Sequence, residues 1–332
     1  MKLTLMYHGE GPLTRPTAEV YAELLEQVAL AESLGFDAVW FAEHHFTFHN
    51  GHVPNPLLMA LGTAGRFTRI NVGTSVVCLP LHNPLDIAEQ AAMIDVLTGG
   101  RLMVGVGSGS SPMEFATLGI PMEERHQRFR EGIDVLLHAW SGEPFAYDGL
   151  ALHIAPTTVL PRPIQAPRSL LWVAASSERS SAVAGEVGCP LMLPRGRTSA
   201  SYRPALEAHR DSLRQHGYDP ATVPQAIARV VYVGESDEAA KRETEDAVFS
   251  FYRRFNLQGK PPDVPMPSYD ELVIQLNMSI GSAETVRDQL VAFGQETGIT
   301  HLAIQPTWEQ LDHQLSLASL RRFGEQVLPA LV

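Results

Sequence analysis

Eight short apolar or β-branched runs recur along the chain, each followed by a stretch long enough to cross back over a sheet, and this alternation constrains the fold most. The runs are 3–7, 38–41, 71–77, 102–106, 170–174, 190–193, 227–233 and 301–304. Between the first two, Val20, Leu24, Val28, Ala31 and Leu34 fall on one helical face before Gly35 stops the helix. Asn55-Pro56 and Pro84 open two more helices, Gly99-Gly100 breaks the second, and helical patterns follow at about 123–140, 178–187, 200–216, 236–252, 282–295 and 309–328. Parallel strands need crossovers of this length, so the pattern predicts an α/β fold with a closed parallel (β/α)8 TIM barrel rather than an open sheet. Two stretches break the period. Residues 141–170, with Gly142, Pro144, Asp148-Gly149 and Leu160-Pro161-Arg162-Pro163, read as a hairpin-like insertion. Residues 255–280 are too rich in Gly, Pro and polar residues to be a packed element and are expected to be a lid or a surface insertion. No linker divides the chain, so residues 1–332 are expected to form one domain.

The charge balance narrows the partners. Across 332 residues, 25 Lys and Arg stand against 37 Asp and Glu, a net charge of −12. That surface repels a phosphate backbone or an anionic bilayer, which argues against nucleic-acid and membrane partners and leaves small-molecule chemistry. Cys78 and Cys189 both sit in apolar stretches and cannot make a disulfide framework, which suits a reducing cytoplasm. The absence of a secretory signal or a long apolar run leads to the same expectation.

In a barrel, chemistry collects on the loops that leave the C-terminal strand ends, and four of these stand out. After the second strand comes Glu43-His44-His45-Phe46, followed by His49 and His52; imidazole exchanges protons near neutral pH. A metal centre would need converging ligands, and His residues crowded on one loop lack that spacing, so no metal is expected. The third strand ends in Gly73-Thr74-Ser75-Val76, where small residues would let a flat ring approach the backbone; a buried strand accounts for the apolar positions equally well. The fourth runs into Gly105-Val106-Gly107-Ser108-Gly109-Ser110, which lacks the last glycine of a dinucleotide fingerprint but can offer backbone N–H groups to a ligand. The fifth leads to Ser176-Ser177-Glu178-Arg179-Ser180-Ser181 at a helix start, which reads as an anion site or as simple N-capping by Ser177.

Taken together, these blocks resemble the bacterial luciferase-like family of flavin-dependent monooxygenases. The likeness runs through Gly35-Phe36-Asp37, Trp40, Glu43-His44-His45-Phe46, Asn71-Val72-Gly73-Thr74, Leu79-Pro80, Ala88-Glu89, Gly99-Gly100-Arg101-Leu102, Gly281-Ser282 and Val327-Leu328-Pro329. The resemblance implies a barrel that takes reduced FMN from a separate flavin reductase and uses O2, through a flavin hydroperoxide, to oxygenate a small organic substrate. It makes His44 the catalytic histidine, with Glu43 beside the flavin. It further places a non-prolyl cis peptide at Ser75-Val76 under the ring and the loop Gly107-Ser108 near the cofactor. The phosphate would meet the Ser176 amide and the hydroxyls of Ser177 and Ser180. A homodimer packed through the helices after the second and third strands is also implied. Luciferase proper carries a phosphate-binding arginine where this chain has Ser108, and Arg179 or His126 would have to compensate. Relatives that use a deazaflavin for hydride transfer tolerate a small residue there. A deazaflavin-dependent oxidoreductase is therefore the alternative; a non-catalytic flavin-binding paralogue and a metal-dependent barrel hydrolase complete the set.

Overall fold

The computed structural model of the protein describes residues 1–9, 15–46, 51–256, 265–308 and 311–332. Its first third repeats one unit: β1 (Lys2–Tyr7), α1 (Thr17–Leu34), β2 (Ala38–Phe41), α2 (Pro56–Ala64), β3 (Asn71–Cys78), α3 (Pro84–Thr98) and β4 (Leu102–Gly107). The helix ends follow the local chemistry. Asn55 and Asn83 cap α2 and α3 by accepting the amides of Leu58 and Leu85, each with proline at the first helical position. Gly35 and Gly99 end α1 and α3 at φ 86° and 69°, in the left-handed region that a side chain disfavours.

After β4 come α4 (Pro112–Thr117), α5 (Arg125–Ser141), β5 (Phe145–Asp148), β6 (His153–Thr157), α6 (Pro167–Leu170) and β7 (Leu171–Ala174). β5 and β6 pair antiparallel as a hairpin within the expected insertion. The chain continues through α7 (Glu178–Glu186), β8 (Leu191–Leu193), α8 (Ser199–Gln215), β9 (Gln225–Val233) and α9 (Asp237–Asn256). It then forms α10 (Tyr269–Gln275), β10 (Ser279–Gly281), α11 (Ala283–Thr297), β11 (His301–Gln305) and α12 (His313–Arg322).

The parallel order β11-β1-β2-β3-β4-β7-β8-β9 closes when β9 pairs with β11, with Thr4 opposite both Ala38 and Ala303. Inside the barrel Trp40 and Trp172 lie 5.4 Å apart and tilted, surrounded by Met6, Ala38, Met192, Ala226, Ala228 and Ala303. Large and small residues alternate to fill the taper. Gly73 belongs to this plug: a Cβ there would come within 2.4 Å of the Met103 carbonyl oxygen and 2.8 Å of Trp40 Cδ1. Its smallness serves packing, not the close approach of a ligand ring. The main core lies outside the strands, between barrel and helices, with Leu3, Leu5, Val72, Val104, Ile133 and Leu302 fully buried.

The expectation that 255–280 holds no packed element is corrected. α10 and β10 lie there, β10 extending the C-terminal end of β9 by pairing with Val231–Val233. Tyr269, Leu272, Met278 and Ile280 form a second core with Val248, Phe251, Tyr252 and Trp308. Their apolar side chains are spaced among polar ones too irregularly for a period to register. Residues 257–264 of the expected lid, like His49, lie outside the described residues. No helix of the described residues is long and apolar enough to cross a membrane.

Candidate active site

A cavity of about 680 Å³ opens at the C-terminal mouth of the barrel. Met6, Met192 and Ala228 belong both to the barrel plug and to the cavity wall, so the plug is its floor. The nine residues assigned to catalysis or cofactor binding from the sequence line it: Glu43, His44, Ser75, Val76, Gly107, Ser108, Ser176, Ser177 and Ser180; His45, Gly73 and Arg179 do not. They come from four strand ends separated by up to 137 positions along the chain, and the barrel closure alone brings them together. The Ser75–Val76 peptide bond is cis. Gly107 faces Val76 closely enough that a Cβ would meet Val76 Cγ2 at 2.6 Å.

At one side of the mouth Ser177 caps α7 in a reciprocal box. The Ser180 amide donates to Ser177 Oγ at 3.2 Å, and the amides of Ser176 and Ser177 donate to Ser180 Oγ at 3.2 and 3.1 Å. The hydroxyls expected to hold an anion are thus already capping the helix, because its first amides need acceptors. An arriving anion can take over the same amides. His126 lines this end too, and partial burial together with the charges of Arg125 and Arg179 holds its imidazole below the ordinary value. Arg179 itself does not line the cavity, but it adds to a positive field beside the serines.

Opposite lies a buried carboxylate. Glu43 Oε1 accepts hydrogen bonds from His45 Nε2 and His82 Nε2, both at 2.8 Å, and Oε2 accepts the Cys78 amide at 3.1 Å. Burial drives the Glu43 carboxyl up, but the two imidazoles outweigh it and hold it below the usual range. The bond to Glu43 raises His45 against its own desolvation. Glu114 is buried in the cavity wall, accepts the His45 amide at 2.7 Å and is pushed upward by burial. Glu43, His45 and His82 also present three ligand atoms within 4.8 Å of one another. Both imidazole nitrogens point at one carboxylate oxygen, a complete hydrogen-bond arrangement whose N–H protons fill the space a cation would take.

Sequence reasoning missed His8, Arg195, His82 and Glu114, and the apolar wall of Phe251, Leu276 and Met278. His8 follows β1 and Arg195 follows β8, so strand-end position was the signal that could have found both. The wall comes from α9 and the segment around α10, where no sequence pattern marks the cavity.

The pocket has an apolar body, a histidine in its wall and a rim of serine hydroxyls and helix-start amides beside cationic side chains. Such a donor set fits an amphipathic aromatic cofactor with a phosphate tail. A family model described as luciferase-like monooxygenase matches residues 1–301. The chain is 27% identical, over 99% of its length and 95% of the relative's, to the oxygenase component of a flavin-dependent trigonelline monooxygenase from Acinetobacter baylyi. It is 29% identical, over 93% of both chains, to an F420-dependent glucose-6-phosphate dehydrogenase from Microbacterium testaceum. A monooxygenase crystal structure from Streptomyces bottropensis superposes with a TM-score of 0.89 at 26% identity, each chain covered completely.

Proposed function

Because the chain belongs to the luciferase-like monooxygenase family, we propose that it is the oxygenase of a two-component system, taking reduced FMN from a separate reductase and using O2 to oxygenate a small organic substrate. The observation that carries the reading is the shared cavity: His44 and the serine rim of α7 face one space of about 680 Å³. Bound reduced flavin would supply the electrons that activate O2. Ser75, Val76, Gly107 and Ser108 would bed its ring, and the Ser176 amide with the hydroxyls of Ser177 and Ser180 would hold its phosphate, aided by the field of Arg125 and Arg179. His44 would hold or move the proton of the reacting oxygen. Glu43 fixes its loop by anchoring His45 and His82. Phe251, Leu276 and Met278 would exclude water and receive the apolar part of the substrate.

A second reading, hydride transfer with an F420-type deazaflavin, is favoured by one residue: Ser108 in place of a phosphate-binding arginine. An oxygen electrode separates the two. Oxygen uptake that requires reduced FMN supports the first reading; anaerobic turnover with F420 and none with FMN replaces it. Leu58, Met93, Val96 and Leu97 are exposed on α2 and α3, an apolar surface suited to a homodimer. The net charge of −12 and two buried free cysteines fit a cytoplasmic protein.

A further inference from the structure

His44 does not meet the cavity alone. Its Nε2 lies 3.1 Å from His8 Nδ1, and on the far side of His8 the Arg195 guanidinium meets His8 Nε2 through Nη1. The two imidazole planes differ by only 11°, and their centroids are 5.4 Å apart. That separation exceeds the nitrogen–nitrogen distance by about two ring radii, so the rings lie edge to edge, almost in one plane, with the hydrogen bond along the line between them. Arg195 is set from the other side, its guanidinium 5.0 Å over the Phe251 ring. All three residues leave the C-terminal ends of different strands, β1, β2 and β8.

The direction of this chain follows from one fact: a guanidinium donates hydrogen bonds and never accepts them. His8 Nε2 must therefore present a lone pair to Arg195. A neutral imidazole then carries its hydrogen on Nδ1, the atom facing His44. His44 Nε2 must in turn accept, which puts the His44 hydrogen on Nδ1.

We infer that His8, with its orientation enforced by Arg195, is a positioning residue that locks His44 in the Nδ1–H tautomer, making Nδ1 the atom through which His44 donates a hydrogen bond to the reacting oxygen. The inference rests on the proposed role of His44 as the proton-carrying group, but its geometry does not depend on which flavin is used. The role is one of orientation: His8 fixes which nitrogen is the donor, as the second partner of a catalytic imidazole commonly does.

The test reads the tautomer directly. Long-range 1H–15N spectra of the full-length protein labelled with 15N-histidine, with His44 assigned by its loss in His44→Gln, should show a protonated Nδ1 and an unprotonated Nε2 on His44. His8→Ala should turn this into a tautomer mixture. His8→Asn, whose amide nitrogen can stand where Nδ1 stood, should restore the wild-type pattern. The matching kinetic expectation is a drop in kcat of roughly tenfold or more for His8→Ala with KM little changed, and recovery of most of it in His8→Asn. Circular dichroism establishes that both variants are folded. A wild-type His44 protonated on Nε2, or a folded His8→Ala with the tautomer unchanged, overturns the inference. If the tautomer is as expected but His44→Ala turns over normally, the proposed catalytic role fails while the orientation stands.

Discussion

Replacing Glu43 by Gln gives a sharp test of the buried acid–imidazole cluster. The carboxylate accepts three hydrogen bonds, two imidazole N–H groups on Oε1 and the Cys78 amide on Oε2. Glutamine offers one oxygen and one NH2. Whichever way it turns, its NH2 faces at least one N–H donor that then has no acceptor. A charge-assisted bond is worth about 1.5–3 kcal/mol, and an unmade buried one costs about 1–3 kcal/mol. With the positive charge of His45 also left without its buried partner, the loss should be about 3–5 kcal/mol.

The pH dependence has a definite sign. Glu43 is held below its ordinary 4.5, so its contribution is present above that value and is lost as pH falls through the lower folded value. His45 is raised above its ordinary 6.5, so its contribution is complete below that value and is lost as pH rises through the higher folded value. The gap between wild type and Glu43→Gln, measured by urea unfolding followed through tryptophan fluorescence, should therefore be widest near pH ~5.5 and narrower near pH ~9. A gap under about 1 kcal/mol at the lower pH, or one that widens toward the higher, would refute the reasoning.

His44→Ala should lower turnover roughly 100-fold or more while leaving the dissociation constant for reduced FMN within about twofold, as read by single-turnover kinetics and anaerobic titration. Asp95 is fully buried and accepts the amides of Ile164 and Gln165 and the Gln165 side chain. Asp95→Ala should cost about 3–5 kcal/mol and increase hydrogen exchange in residues 160–166, which mass spectrometry would detect. Leu58→Glu combined with Leu97→Glu puts charge on the exposed faces of α2 and α3, and light scattering should report a dimer for wild type and a monomer for the variant.

What the sequence disclosed, and what it hid, follows from physical range. Local chemistry was readable: Asn55 and Asn83 before prolines, and Gly35 and Gly99 after helical faces, mark helix ends within a few residues of where they lie. The alternation of strands and helices was enough for barrel closure because parallel pairing leaves few topologies. The nine singled-out residues meet in one cavity because strand ends of a barrel converge on one mouth. Contacts between distant loops were invisible. Nothing near Glu43 announces that His82, 39 residues away, shares its oxygen. His8 reads as a lone histidine after a strand until Arg195, 187 residues on, reveals the direction of its hydrogen bond. Gly73 shows the opposite failure, for its smallness suggested ligand access but answers to Trp40 and Met103 inside the plug.

The central claim is that the cavity between His44 and the α7 serines binds reduced flavin, and anaerobic titration with reduced FMN tests it most directly. Tryptophan fluorescence should change saturably, one equivalent per chain, with a dissociation constant on the order of tens of micromolar or below, and Ala174→Trp, which fills the cavity, should abolish the change. Failure of wild type to saturate, or undiminished binding by a folded Ala174→Trp, would contradict it.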